Sequence, residues 1–166
     1  MKRYLNKAVA FSGPSNSGKT TLIEKLAKVL TKDFQVLVIK HDPKDKAKFD
    51  TEGKDSYKFF QTGADTVVLS PTRTTYFSHQ TREVEDIVEL FNFDYLLVEG
   101  LKEINLPRIS IFRSKIEDNY LPYSDAIAID ETVDLTNKDL TNLDILDLNN
   151  TQQILKWIEK NAKVVK

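Results

Sequence analysis

The sequence contains no cysteine. Disulfide frameworks, cysteine-ligated zinc and thiol catalysis are therefore excluded, and the composition suits a reducing cytosol. Histidine is nearly absent as well. Only His41 and His79 occur among 166 residues, far apart in the chain, which argues against a multi-histidine metal site. An excess of either charge is also missing: 24 basic residues stand against 25 acidic ones. No global field draws such a chain onto nucleic acid, so any recognition of an anion has to be local. Long apolar runs are lacking too. The apolar stretch 8–11, after a short polar start, is too brief for a signal peptide or a membrane span. The expectation is a cytoplasmic protein without nucleic-acid or membrane partners.

What is present is an alternation of strand and helix signals. Residues 8–11 are uniformly apolar and are followed by Gly13 and Pro14, as expected of a buried strand feeding a turn. Leu22, Leu26, Val29 and Leu30 then recur at helical spacing over 18–30. A second strand is expected at 34–40. Residues 41–55 are rich in lysine and aspartate and read as a long loop. A short helix over 56–62, capped by Asp55 and stopped by Gly63, precedes a strand at 67–69 that ends at Ser70-Pro71. Another strand at 75–77 is followed by an amphipathic helix carrying Val84, Ile87, Val88 and Phe91. That helix leads to a strand at 95–98, closed by Glu99-Gly100. Strands at 109–112 and 126–129, a weaker one at 145–148 and a last helix through Ile154, Leu155 and Ile158 complete the chain. The alternation implies a mostly parallel sheet with helices on both faces, a three-layer α/β/α fold, in a single domain over 1–166.

The segment Gly13-Pro14-Ser15-Asn16-Ser17-Gly18-Lys19-Thr20 satisfies G-x-x-x-x-G-K-[ST] at every fixed position. Gly13 and Gly18 allow backbone conformations in which successive amides turn toward phosphate oxygens. The helix that follows adds its positive end. Lys19 supplies a point charge for the β- and γ-phosphates, and the Thr20 hydroxyl is placed for Mg²⁺. A chance match in a chain of this length is on the order of one per cent, and this match lies between a strand and a helix, as the chemistry requires. The segment therefore reads as a P-loop that binds a nucleoside triphosphate.

A P-loop protein needs a carboxylate at the end of a neighbouring strand, and Glu99 closes an apolar strand just before a glycine. Asp50 lies in the loop after the second strand, where a carboxylate reaches Mg²⁺ or orients water. Glu99 and Asp50 are thus candidate catalytic groups, and with Thr20 the candidate metal ligands. A solvated loop aspartate explains Asp50 equally well on composition. Helix capping suffices for Asp55, and Lys40, Lys44, Lys46 and Lys48 read as a solvated run. Asn137-Lys138-Asp139 imitates the guanine motif Asn-Lys-x-Asp but is one residue short, so the residues alone leave GTP and ATP open.

Several elements occur together in order: GPSNSGKTTLIEKL, His41-Asp42 through Phe49-Asp50, Gly53-Lys54-Asp55-Ser56-Tyr57, Gly63-Ala64, and Val98-Glu99-Gly100-Leu101-Lys102. In this the chain resembles the molybdopterin-guanine dinucleotide biosynthesis protein B family (MobB), from Val9 to about Ile129. The resemblance implies a homodimeric, GTP-binding adaptor with weak Mg²⁺-dependent GTPase activity in molybdenum cofactor biosynthesis. Its partner would be the synthase that joins GMP to molybdopterin, with molybdopterin itself a further candidate ligand. By position, Gly13, Ser15, Asn16, Ser17, Gly18, Lys19, Thr20 and Thr21 would hold the nucleotide, Thr20 and Glu99 the metal, and Asp50 would belong to a switch-like loop. Two departures stand out. The loop is rich in lysine where the family often carries histidines, and Leu101 replaces the usual Phe of the EG-F-K element. The alternative reading is an ATP-dependent small-molecule kinase or ligase, with Asp50 as base and Lys102 or Arg113 gripping an acceptor.

Overall fold

A strand buried on both faces must be apolar at every position, and residues 8–11 meet that condition. In the structure, a computed structural model describing residues 3–166, they lie in β1 (Lys7–Ser12), whose last five residues are all buried. Around it runs a sheet in the order β2 (Val36–Lys40), β5 (Tyr95–Glu99), β1, β6 (Arg108–Phe112), β7 (Ala126–Ile129), β8 (Asp144–Asp147). Every pair along this path is parallel. The α/β class and the mostly parallel sheet expected from the alternation are what the chain adopts.

Side-chain parity assigns the two faces of the sheet. Val9 and Phe11 of β1, Leu97 of β5 and Ile109 and Ile111 of β6 pack with Leu22 and Leu26 of α1 (Lys19–Leu30). Ile154, Trp157 and Ile158 of α4 (Thr151–Asn161) complete this cluster. Asn150 caps α4 by accepting from Gln153 N at 3.0 Å, and the Trp157 indole donates to Asp144 at 2.7 Å. On the other parity Phe112 and Ile127 pack with Ile116, and a 3₁₀ turn, Asp118–Tyr123, lays Tyr120 and Leu121 over them.

One strand escapes the sequence reading. β9 (Lys163–Val164) pairs antiparallel with Lys7 and Ala8. Strand β6 meets β1 only from Ala10 onward, so the start of β1 has a free edge there, and the end of the chain covers it.

The described chain groups into two compact units, residues up to 41 together with 88–166, and 42–87. The second contains α2 (Asp55–Gln61) and an antiparallel hairpin, β3 (Thr66–Leu69) with β4 (Thr74–Phe77), which forms a sheet of its own. The division falls within α3 (Val84–Leu90). Residues 43–54 carry no helix or strand, in keeping with the expected loop. The capping role expected for Asp55 is not found. Lys54 occupies the cap position without a side-chain cap, and Asp55 sits in the first turn, where its charge faces the positive helix end and Lys58 at 3.3 Å. Gly63, at φ +91°, ends the helix as expected.

Candidate nucleotide site

The loop from β1 to α1 is shaped by close backbone contact. Gly13 has φ +133°, and a Cβ there would lie 2.3 Å from the Ile111 carbonyl oxygen. Only glycine lets the loop rest on β6. Asn16 and Gly18 also have positive φ, and Gly18 holds the cap position before α1 with no side-chain cap. The first amides of α1 therefore have no side-chain acceptor, the arrangement that receives an anion. Ser15, Asn16, Thr20 and Thr21 are exposed, whereas Ser17 is buried and its hydroxyl has no hydrogen-bond partner. A buried hydroxyl without a partner is a polar demand that a bound oxyanion would meet.

Lys19 folds back onto this loop, donating to the Gly13 and Pro14 carbonyls at 2.8 and 2.6 Å. Burial pushes its ammonium pKa down; the Glu99 carboxylate opposes that shift and Lys40 adds to it. A partly desolvated ammonium lacking a directly bonded carboxylate is suited to an anionic ligand.

Sheet register brings Glu99 to this end of the molecule, since it lies opposite Phe11 in β1 and Lys40 in β2. Lys40 donates to Glu99 at 3.0 Å. The ensuing turn is tightly held: Gly100 N donates to the Phe11 carbonyl and His41 N to the Glu99 carbonyl, both at 3.0 Å. Gly100 and Leu101 are both left-handed, at φ +91° and +49°, and for leucine that conformation is unfavourable. Arg108 maintains it. Its guanidinium, essentially fully buried, donates to the carbonyls of Gly100, Leu101, Lys102 and Ile104 at 2.9 to 3.3 Å. Burial pushes its pKa down, with Asp125 in opposition. The sequence reading missed Arg108. Its only signal was parity, which sets it in line with Ser110 and Phe112 on one sheet face.

The first unit thus brings together Gly13, Ser15, Asn16, Ser17, Gly18, Lys19, Thr20, Thr21 and Glu99. Arg113 belongs beside them, its Nε 3.3 Å from where a Cβ on Gly18 would sit, with Asp130 at 3.6 Å. Lys102 instead stands over the Tyr120 ring at 3.9 Å. Asp50 belongs to the second unit, where its carboxylate accepts from Thr51 N at 2.8 Å and from the Ser56 hydroxyl at 3.2 Å. Lys138 of the false guanine motif pairs with Asp118, and Asp139 accepts from Thr141. Asp130, Asp134 and Asp139 each bond the threonine two residues on, a local turn device.

Among the described residues no three His, Asp or Glu side chains cluster as a metal cage. Mg²⁺ does not require one, because it is commonly held by one or two protein groups together with phosphate oxygens. An exposed hydroxyl at Thr20 and the carboxylate at Glu99 fit that donor set. No described helix is long and apolar enough to cross a membrane.

A glycine loop leaving the central parallel strand for an uncapped helix, with a carboxylate ending the adjacent strand, is the signature of the P-loop nucleotide-binding class. The family model for molybdopterin guanine dinucleotide synthesis protein B matches residues 8–131. The chain belongs to that family. It is 31% identical over 162 residues to the molybdopterin-guanine dinucleotide biosynthesis adapter protein of Haemophilus influenzae, covering 91% of this chain and 86% of the relative. A putative adapter of Methanocaldococcus jannaschii is 30% identical over 132 residues, 75% of this chain, although the match spans only 55% of that longer relative. Among solved structures, Bacillus subtilis MobB superposes with TM-score 0.75 at 23% identity, covering 93% of this chain and 98% of that one. The fold is shared.

Proposed function

We propose that the protein is a GTP-binding adaptor of molybdopterin-guanine dinucleotide biosynthesis, acting with the synthase that transfers GMP to molybdopterin. The observation that carries this is the built P-loop in a chain whose curated relatives are named as adapters of that pathway. Loop amides, the first turn of α1 and Lys19 hold the triphosphate, with the Ser17 hydroxyl turned to it and Ser15, Asn16 and Thr21 along its path. Lys19 exchanges the Gly13 and Pro14 carbonyls for phosphate oxygens, which are stronger acceptors. Thr20 and Glu99 hold Mg²⁺, which when bound neutralises charge on the phosphate oxygens. Glu99 would leave its ion pair with Lys40 to do so. Asp50 belongs to the switch-like loop that nucleotide orders, presenting a surface to the synthase. Hydrolysis is slow, and the adaptor works as a homodimer.

Calorimetric titration with GTP and ATP, with and without Mg²⁺, tests the reading. Lys19→Ala and Thr20→Ala are expected to weaken Mg·GTP by on the order of 100-fold, while Glu99→Ala retains nucleotide and loses hydrolysis. Retained hydrolysis in the Lys19 variant would refute the P-loop assignment. A preference for ATP, with turnover that depends on an added acceptor, would favour the kinase or ligase alternative. Light scattering decides the dimer.

A further inference from the structure

Unit 42–87 contains a cavity of its own, about 160 Å³, bordered by Phe49, Asp50, Ser56, Ser70, Arg73 and Phe77 among others. Two charged residues line it, Asp50 with an acceptor left unmet and Arg73 exposed to solvent. Asp50 Oδ1 accepts from Thr51 N and the Ser56 hydroxyl, but Oδ2 is shielded from solvent and has no donor. A buried acceptor in that state marks a place where a donor is gained. The Arg73 guanidinium makes no ion pair among the described residues. Its backbone is nevertheless fixed: Ser70 N and the Ser70 hydroxyl donate to Arg73 O at 2.9 and 3.0 Å, and Arg73 N donates back to that hydroxyl at 3.1 Å. Asp50 and Arg73 thus line one cavity without forming an ion pair with each other. Phe49 is 85% exposed, a large apolar ring left in water beside a polar cavity.

These features define a ligand by its chemistry. It needs N–H donors at one edge for Asp50, an anion for Arg73, and flat apolar faces for Phe49 and Phe77. A cavity of about 160 Å³ is on the scale that seats one small ring system, so a heterocycle fills it and any further group of the ligand lies outside. We propose that this unit binds a planar 2-amino-4-oxo-pyrimidine ring carrying a phosphate, with the N–H edge on Asp50 and the phosphate on Arg73. The choice of ring rests on the family reading, because both halves of the dinucleotide in the family's name, the pterin and the guanine, carry that edge; the carboxylate, guanidinium and aromatic border do not depend on it. The two sources are therefore a phosphorylated pterin and a guanine nucleotide.

The test uses the full chain bearing Lys19→Ala, which disables the P-loop under the reading above, titrated with 6-hydroxymethylpterin monophosphate, GMP and AMP. Pterin fluorescence follows the first probe and calorimetry the others. Saturable binding of the pterin phosphate or of GMP is expected, with AMP ineffective because adenine lacks the 2-amino-4-oxo edge. Asp50→Asn and Arg73→Ala should each weaken it by about tenfold or more; Arg73 is exposed, so its replacement does not threaten folding. Whichever of the two probes binds more tightly identifies the source. Binding of neither, or affinity indifferent to Arg73→Ala, overturns the proposal. Mg·GTP titration of the unmodified chain fails or succeeds independently, so loss of the P-loop reading is distinguishable from loss of this one.

Discussion

Gly13 and Gly53 share positive φ yet differ in what surrounds them. A methyl at Gly13 meets the Ile111 carbonyl, whereas at Gly53 nothing lies within 4 Å. Gly53→Ala therefore carries only the conformational cost, about 1 kcal/mol. Gly13→Ala adds a steric clash with backbone that cannot rotate away, and about 3 kcal/mol or more is expected. Urea denaturation of both variants measures the difference, and equal losses would show that the loop is not seated on β6. Lys40 offers a subtler test. It is 62% exposed against 13% for Glu99, so the ion pair is solvent-screened and adds little stability. As a competitor for the carboxylate it still matters, and Lys40→Gln is expected to raise apparent Mg²⁺ affinity in the GTP complex by about two- to threefold. No change in a Mg²⁺ titration would place the metal away from Glu99. The P-loop was legible residue by residue because its spacing is a local rule. Arg108 was not, since its burial arises from the turn after β5 meeting the start of β6.

At the scale of elements, one carboxylate ties together the two ends of the hairpin in unit 42–87. Asp65 accepts from the Tyr76 hydroxyl, the Ser78 hydroxyl and His79 N at 2.9 to 3.0 Å. Its pKa is held below the usual 3.8, first by the His79 amide and then by Tyr76. A depressed folded-state pKa means that the stabilisation is complete above the unfolded value and is lost as pH falls through the folded one. The amides of β3 and β4 should accordingly lose hydrogen-exchange protection on acidification below about pH 4, and Asp65→Ala should remove that dependence. A pH response surviving the substitution would assign it elsewhere. Strands and helices with four or more patterned residues were legible in the sequence. β9, two residues long, was not, because its existence depends on where β6 begins beside β1. The error at Asp55 is of another kind: aspartate favours both the cap and the first turn, and a one-residue shift separates them.

On the scale of the whole molecule, burial is divided unevenly between the two units. Every buried apolar side chain among the described residues lies outside 42–87, and within that unit only Thr66 is buried. Phe49, Phe59, Val67, Val68 and Leu69 are all exposed there. A segment of 46 residues with so little buried apolar area has a small driving force for folding, while the sheet unit carries a continuous core from β1 to α4. Local opening should follow that division. In hydrogen exchange monitored by mass spectrometry across a urea series, peptides of 42–87 are expected to exchange through a transition at low urea, and β1, β5 and β6 only with global unfolding. Protection of 66–77 equal to that of 95–99 would contradict the inference from burial. The adaptor reading then adds a directional demand. If nucleotide orders the switch-like loop, Mg·GTP must slow exchange in 42–55 as well as in 13–21, and Lys19→Ala must abolish both effects together. Slowing confined to 13–21 would leave a P-loop that binds GTP without passing the signal on, and the partner-facing surface would have to be sought in the sheet unit.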